Sequence, residues 1–168
     1  MSPPVRVATL TLSDTRNEAD DEGGRVLRTL LEAAGFMIVA QKIEREDLEG
    51  VRMAVAKLAR RDDVEAIVTT GGTGLAPRDV TIQAIEPLID KPMPGFGEAF
   101  RRLSYDEIGP RAILSSALAG VVRGRIVIAL PGSPNAVRLA VDKLVAPTLR
   151  HAVDVASGRT HHGPSGRA

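Results

Sequence analysis

The stretch Val64-Glu65-Ala66-Ile67-Val68-Thr69-Thr70-Gly71-Gly72-Thr73-Gly74 decides the fold. Its first seven residues are mostly β-branched or apolar, which predicts a buried strand over 64–70. Three of the next four residues are glycines, and glycine allows another group to come very close to the backbone. Backbone N–H groups gathered in such a bend form a concave anion site. We therefore expect the glycine loop, residues 71–74, to bind a phosphate.

A plain strand-to-helix turn is the simpler interpretation of this loop, but one glycine would satisfy such a turn. The loop is not a Walker A motif, because no Gly-Lys-Ser/Thr follows it, and it lacks the Gly-x-Gly-x-x-Gly dinucleotide pattern. Arg78-Asp79-Val80-Thr81 follows after a short linker. Asp79 is a candidate helix N-cap and also a candidate ligand-facing carboxylate.

Outward from this stretch, strand-like and helix-like patterns alternate along the chain. The predicted strands cover 5–12, 36–43, 64–70 and 125–130. Helices are predicted between Val26 and Gly35, from Asp47 to Arg61, over 81–89, around Phe96 to Leu103, from Pro110 to Leu118, and from Pro134 onward. Alternation with apolar strands predicts one three-layer α-β-α domain over 1–156, with a mostly parallel central sheet. Residues 157–168 are predicted to be a disordered tail.

Ligands of such sheets bind outside the carboxyl ends of the strands, so the loops at that edge are expected to form one site. The residues expected there are Ser13, Asp14 and Asp21 after the first strand, Asp47 after the second, the glycine loop with Thr70 and Asp79 after the third, and Pro131, Gly132 and Ser133 after the last.

Some of these residues have a purely structural alternative. Asp47 stands at an obvious helix start, and Pro131-Gly132-Ser133 can be explained entirely as the start of the final helix. A helix N-terminus is nevertheless also an anion site. Asp47 and Asp79 together would suit Mg²⁺, which takes one or two carboxylates plus phosphate oxygens and water.

Composition narrows the class of protein. The net charge of +1 and the scarcity of aromatic residues argue against nucleic-acid binding. The sequence has no apolar run of membrane-spanning length and no signal-peptide core, so a cytoplasmic location is expected. Cysteine is absent, which excludes disulfides, thiolate catalysis and zinc–thiolate sites in this sequence.

Three motifs together resemble the MoaB/Mog family of molybdenum-cofactor biosynthesis proteins. They are Thr69 to Gly74 with Arg78-Asp79-Val80-Thr81, Met93-Pro94-Gly95-Phe96-Gly97-Glu98, and Leu130-Pro131-Gly132-Ser133-Pro134-Asn135-Ala136-Val137. The similarity runs from about Val5 to about Val155. Ala129 departs from the Mog branch, which has asparagine there.

The resemblance implies a molybdopterin adenylyltransferase, which transfers AMP from Mg-ATP to the terminal phosphate of molybdopterin and releases pyrophosphate. It implies Asp79 and Asp47 as the catalytic, Mg²⁺-binding pair. Ser13, Asp14 and Asp21 match its first loop, and Ser115 matches a serine linked to binding of the pterin phosphate. It also implies a homo-oligomer, trimeric or hexameric, and transfer of the product to a molybdate-insertion protein.

Three alternatives stay open at the level of sequence. A protein of the same fold could bind molybdopterin without catalysis, as a carrier or an inactive paralogue. A nucleotide-processing enzyme of the competence-associated branch would normally carry further domains. A purely structural scaffold would have little use for the paired aspartates and the glycine loop.

Overall fold

The computed structural model describes residues 2–15 and 19–159. Most of the predicted tail, residues 160–168, lies outside the described part. The six strands are β1 (Arg6–Leu12), β2 (Met37–Glu44), β3 (Ala66–Thr70), β4 (Lys91–Pro92), β5 (Leu118–Val122) and β6 (Arg125–Leu130). The α-helices are α1 (Glu22–Ala33), α2 (Leu48–Ala59), α3 (Thr81–Ile85), α4 (Pro94–Ile108), α5 (Pro134–Ala140) and α6 (Ala146–Ala156).

The strands form a single sheet in the order β2-β1-β3-β6-β5-β4. Four strands, β2, β1, β3 and β6, are parallel, whereas β5 and β4 continue the sheet in antiparallel pairing. One face packs against α1, α4, α5 and α6, and the other against α2 and α3. The three-layer α-β-α architecture with a mostly parallel sheet is therefore confirmed.

The central strands carry apolar side chains on both faces, and helices on both sides of the sheet cover them. Every residue of β3 is buried, and its side chains alternate between the two cores, with Val68 on one side and Ile67 on the other. Phe100 of α4 fills the first core and is only 2 % exposed. No helix in residues 2–15 and 19–159 is both long and apolar enough to cross a membrane.

The helix predicted from Pro110 to Leu118 is present only as far as Leu114, and the prediction is wrong for the rest. A short 3-10 helix, the 3-10 segment (Gly109–Leu114), follows α4 directly, and Leu118 begins β5. Strand β5 pairs with β6 through a two-residue hairpin in which Arg123 and Gly124 both have positive φ, 50° and 80°. Pairing with a neighbouring strand overrides the helix propensity of Ala and Leu here.

Candidate functional site

A cavity of about 500 Å³ opens at the carboxyl edge of the parallel strands. The predicted site residues that line it are Ser13, Asp14, Thr70, Gly71, Gly72, Thr73, Gly74, Asp79, Ser115, Pro131 and Gly132. Glu46, Arg78, Arg111 and Leu114 are among the further lining residues. Loops far apart in sequence thus meet at one edge, as the topology of a parallel sheet requires. What each residue binds stays a prediction.

The glycine loop needs glycine at two consecutive positions. Gly71 and Gly72 have φ values of 103° and 70°, a region that side-chain-bearing residues rarely adopt. A Cβ at Gly71 would collide with the backbone oxygen of Leu12, and one at Gly72 would collide with the hydroxyl of Thr81. The loop therefore turns sharply while packed against two other segments.

Hydrogen bonds hold the start of this loop and leave its later amides available. The N–H of Gly71 donates to the Leu130 carbonyl at 2.9 Å, and the hydroxyl of Thr81 donates to the Gly71 carbonyl at 2.9 Å. The Thr81 N–H donates to the Gly72 carbonyl at 3.0 Å. Within the described chain, the N–H groups of residues 72–74 donate to no protein acceptor. Three consecutive free amides suit an anion.

The loop after β6 closes the neighbouring side of the cavity. A Cβ added to Gly132 would lie 3.3 Å from the Cα of Gly71, so the two loops touch backbone to backbone. The hydroxyl of Thr70 donates to the Pro131 carbonyl at 2.9 Å and ties the loops together. The contact between these two loops is therefore made by backbone atoms and one hydroxyl group, which fixes their relative position.

Asp79 lies beside the glycine loop and does not cap α3. One of its carboxylate oxygens, Oδ2, accepts from the Ala76 N–H at 3.0 Å and would lie 2.7 Å from a Cβ on Gly74. The N-cap position of α3 is Val80, which makes no side-chain capping bond. The capping interpretation of Asp79 is therefore wrong, and its carboxylate lines the cavity.

Glu46 is the acidic lining residue that the sequence interpretation missed. Its carboxylate oxygen Oε1 would lie 3.3 Å from a Cβ on Gly72, and its N–H donates to Asp14 at 3.1 Å. Burial raises the pKa of Glu46, the charges of Asp79 and Asp14 raise it further, and Arg78 opposes them. Negative charge thus gathers at the loop, which favours a cation there.

This crowding predicts how a Glu46→Gln variant responds to pH. The folded-state pKa of Glu46 is raised above the reference value of 4.5. The protonated carboxyl therefore contributes its full stabilisation of the folded state below pH 4.5, and this contribution is lost as the pH rises through the folded-state pKa. Glutamine stays neutral, so the variant should be more stable than the parent at pH 7. Thermal unfolding between pH 4 and pH 8 measures the difference, which should shrink toward pH 4.5.

Glu107→Gln is the matched control, since it removes one charge from an exposed residue of α4 outside the cavity. If Glu46→Gln is less stable than the parent at pH 7, the carboxylate is held by favourable contacts, and the like-charge account fails.

Asp47 and Ser133 cap helices and do not line the cavity. The Asp47 carboxylate accepts from the Gly50 N–H at 2.7 Å at the start of α2, and the Ser133 hydroxyl oxygen accepts from the Ala136 N–H at 3.2 Å at the start of α5. Asp79 thus lines the cavity and Asp47 does not, and the joint role predicted for the two carboxylates stays a prediction. An N-cap must directly precede the first helical residue, and this leaves Glu46, one position earlier, to face the loop.

Asp21 is buried below the site and does not line the cavity. Its carboxylate accepts from the Thr11 hydroxyl at 2.7 Å and from the Gly24 N–H at 2.9 Å, and the Arg28 guanidinium lies 3.8 Å away. Asp21 is only 2 % exposed, and its predicted part in substrate binding stays a prediction. Because Thr11 lines the cavity, Asp21 fixes a residue of the lining.

An Asp21→Ala variant should lose about 2–3 kcal/mol of unfolding free energy, because it removes a helix cap and leaves the buried Thr11 hydroxyl without its acceptor. Urea denaturation measures the loss. Asp47→Ala is the control: it removes an exposed cap alone, and about 1 kcal/mol is expected. Equal losses in the two variants would show that the buried hydrogen bond adds nothing to the cap.

The carboxylates of the site could bind Mg²⁺ only together with a phosphate ligand that supplies further oxygen atoms. In residues 2–15 and 19–159, no group of three or more His, Cys, Asp or Glu side chains is placed to hold a metal ion. Glu46 and Asp79 nevertheless supply two carboxylates beside amides suited to phosphate. That donor set matches a cation that takes its remaining ligands from phosphate oxygens and water.

Comparison with known proteins agrees with the sequence motifs. Residues 8–151 match the family described as a probable molybdopterin binding domain. Molybdenum cofactor biosynthesis protein B of Bacillus subtilis is 45% identical over 150 residues, which cover 89% of this chain and 88% of that protein. The Bacillus cereus protein of the same name is 44% identical over 148 residues, 88% of each chain.

Solved structures agree with this match. A crystal structure of a molybdenum cofactor biosynthesis protein B has a TM-score of 0.91 at 42% identity and covers 95% of this chain and 100% of its own. The tungsten cofactor synthesizing protein MoaB of Pyrococcus furiosus has a TM-score of 0.84 at 34% identity, covering 94% and 99%. Fold, motifs and sequence identity along nearly the whole length agree, and the chain therefore belongs to the MoaB/Mog family of molybdopterin-binding domains.

Proposed function

We propose that this protein acts in molybdenum cofactor biosynthesis as a molybdopterin adenylyltransferase, transferring AMP from Mg-ATP to the terminal phosphate of molybdopterin. The observation that carries the proposal is the glycine loop, where three free amides lie between the carboxylates of Glu46 and Asp79. Membership of the family and the names of the relatives support the substrate.

The reaction exchanges one phosphoanhydride for another. An oxygen of the molybdopterin phosphate bonds to the α-phosphorus of ATP, and the bond from that phosphorus to the oxygen bridging to the β-phosphate breaks. The electron pair leaves with pyrophosphate, and no proton has to move. The main barrier is repulsion between anions, so neutralising charge and positioning the two phosphates supply the catalysis.

The chain's own groups are suited to both tasks. The amides of residues 72–74 would bind phosphate oxygens without moving, because the loop is fixed by Thr81 and by the backbone of Gly132. Glu46 and Asp79 would hold Mg²⁺, with Glu46 taking the part that the sequence predicts for Asp47. When bound, Mg²⁺ neutralises charge on the triphosphate and on the departing pyrophosphate.

An assay of pyrophosphate release by the purified protein tests the proposal. We expect release only when ATP, Mg²⁺ and molybdopterin are all present, with adenylyl-molybdopterin detected by mass spectrometry. Molybdopterin binding without any release would identify a carrier instead. Light scattering in the same buffer tests the predicted trimer or hexamer, and pull-down with a molybdate-insertion protein tests the predicted transfer of the product.

A further inference from the structure

Part of the cavity lining comes from the 3-10 segment and the residues beside it. A 3-10 helix has three residues per turn, so side chains three positions apart lie above one another. Arg111 and Leu114 have this spacing within the segment and both line the cavity, as does Ile108, the last residue of α4. We call these three side chains the acceptor row (Ile108, Arg111 and Leu114), and Ser115, which follows Leu114, also lines the cavity.

Arg111 is an uncommitted cation. Other arginines such as Arg52, Arg61 and Arg159 form ion pairs with carboxylates at 2.6–2.9 Å. In the described part of the chain, Arg111 makes no ion pair and no side-chain hydrogen bond. An exposed arginine that lines a cavity and has no protein anion beside it is available for an anionic ligand.

The two aliphatic members of the row are unusually accessible. Ile108 is 56% exposed and Leu114 is 55% exposed, although both line the cavity. Aliphatic surface beside a guanidinium suits a ligand that has a phosphate group attached to an organic ring system. It does not suit a second polyphosphate, because aliphatic side chains offer no polar partner to the additional phosphates.

Two arginines from different segments line the cavity. Arg78 follows the glycine loop, and its charge acts on Glu46. Arg111 comes from the 3-10 segment. The part of the lining that has free amides and carboxylates suits a Mg²⁺-bound triphosphate. The phosphate of the acceptor substrate must approach that triphosphate against charge repulsion. It therefore needs a cation that has no carboxylate beside it, and Arg111 is such a cation among the residues that the structure describes.

We propose, on the basis of the proposed function, that Arg111 binds the terminal phosphate of molybdopterin and that Ile108 and Leu114 contact the ring system that carries it. The guanidinium donates to the non-bridging oxygens of the attacking phosphate, which offsets their repulsion from the triphosphate. Arg111 is thus a specificity-determining residue for the acceptor substrate, and Arg78 belongs to the part of the lining that would bind the nucleotide.

Removal of the ligand's phosphate provides the sharpest test. Molybdopterin and dephosphorylated molybdopterin are titrated by pterin fluorescence into the full-length parent, Arg111→Ala and Arg111→Gln. The parent should bind the phosphorylated form about 10- to 100-fold more tightly, as a charge-assisted hydrogen bond allows. In both variants this preference should fall to within about twofold, whereas the Kd of an ATP analogue stays unchanged.

Arg101→Ala is the matched control, since it removes the same charge from an exposed position of α4 outside the cavity. The inference is overturned if the Arg111 variants keep the parent's preference for the phosphate, or if they lose affinity for the ATP analogue instead. A parent that shows the preference and makes no adenylyl product disproves the proposed function alone. A parent that does not bind molybdopterin disproves both.

Discussion

An Asp79→Asn variant should fold normally and lose roughly 10²- to 10³-fold in kcat/KM for AMP transfer, the range seen when one charge-stabilising group is removed from an active site. The Asp79 carboxylate lies over Gly74 and lines the cavity. The asparagine oxygen can still accept from the Ala76 N–H, so the turn should survive. The variant lacks the negative charge of the Asp79 carboxylate, and this charge is what would attract a bound cation. Coupled pyrophosphate release, with circular dichroism as a check on folding, measures the effect.

Asp142→Asn is the control, because it makes the same chemical change at an exposed position on the last helical stretch, away from the cavity. It should keep the parent's rate. An Asp79→Asn protein that turns over as fast as the parent would remove the carboxylate from the mechanism. Higher Mg²⁺ should partly restore a variant whose only defect is weaker metal binding.

Gly72→Ala should disrupt the site through the backbone. The added Cβ would collide with the Thr81 hydroxyl and lie 3.3 Å from the Glu46 carboxylate, at a φ of 70° that alanine tolerates poorly. We expect a loss of about 1–3 kcal/mol in unfolding free energy from the strained backbone. Affinity for an ATP analogue should fall by more than about tenfold, because the free amides would move. Urea denaturation and calorimetric titration measure the two effects.

Gly35→Ala separates strain from function. Gly35 also has a positive φ, 90°, but a Cβ there would meet nothing within 4 Å, and it ends α1 away from the cavity. Gly35→Ala should therefore lose stability and keep its nucleotide affinity. If Gly72→Ala binds the nucleotide as well as Gly35→Ala does, the glycine loop is not the phosphate site.

The parts of the molecule that followed from sequence are those governed by short-range rules. Strand β3 and its loop could be predicted because a buried β-branched run and a cluster of glycines each have one dominant physical cause. Parallel topology then brings the loop ends to one edge whatever their sequence separation, and Ser13, the glycine loop and Gly132 do meet there.

The errors arose where tertiary partners decide between nearly equal local choices. Leu118 was predicted to end a helix, and the pairing of Leu118–Val122 with β6 and β4 makes this segment a strand. The pair Arg123-Gly124 between two apolar runs was the available hairpin signal. The three-residue spacing of Arg111 and Leu114 likewise belongs to a 3-10 helix, which an α-helical interpretation hides.

Of two adjacent acidic residues, Glu46 lines the cavity and Asp47 caps α2, and the catalytic and Mg²⁺-binding roles of Asp47 stay a prediction. Asp47 and Glu46 are adjacent and both acidic, and sequence alone does not tell which one caps α2. The helix begins at Leu48, so Asp47 takes the cap and accepts from Gly50, while Glu46 is directed to Gly72. One residue at a helix start changes the direction of a side chain enough to decide which group reaches the cavity.

A crystal structure with Mg²⁺ and α,β-methylene-ATP tests the central claim most directly, because this analogue cannot be cleaved at the bond that the reaction breaks. We expect the phosphates to accept hydrogen bonds from the amides of residues 72–74, with the metal held between them and the carboxylates of Glu46 and Asp79. A nucleotide seated elsewhere, or one whose phosphates avoid the glycine loop, would contradict the account.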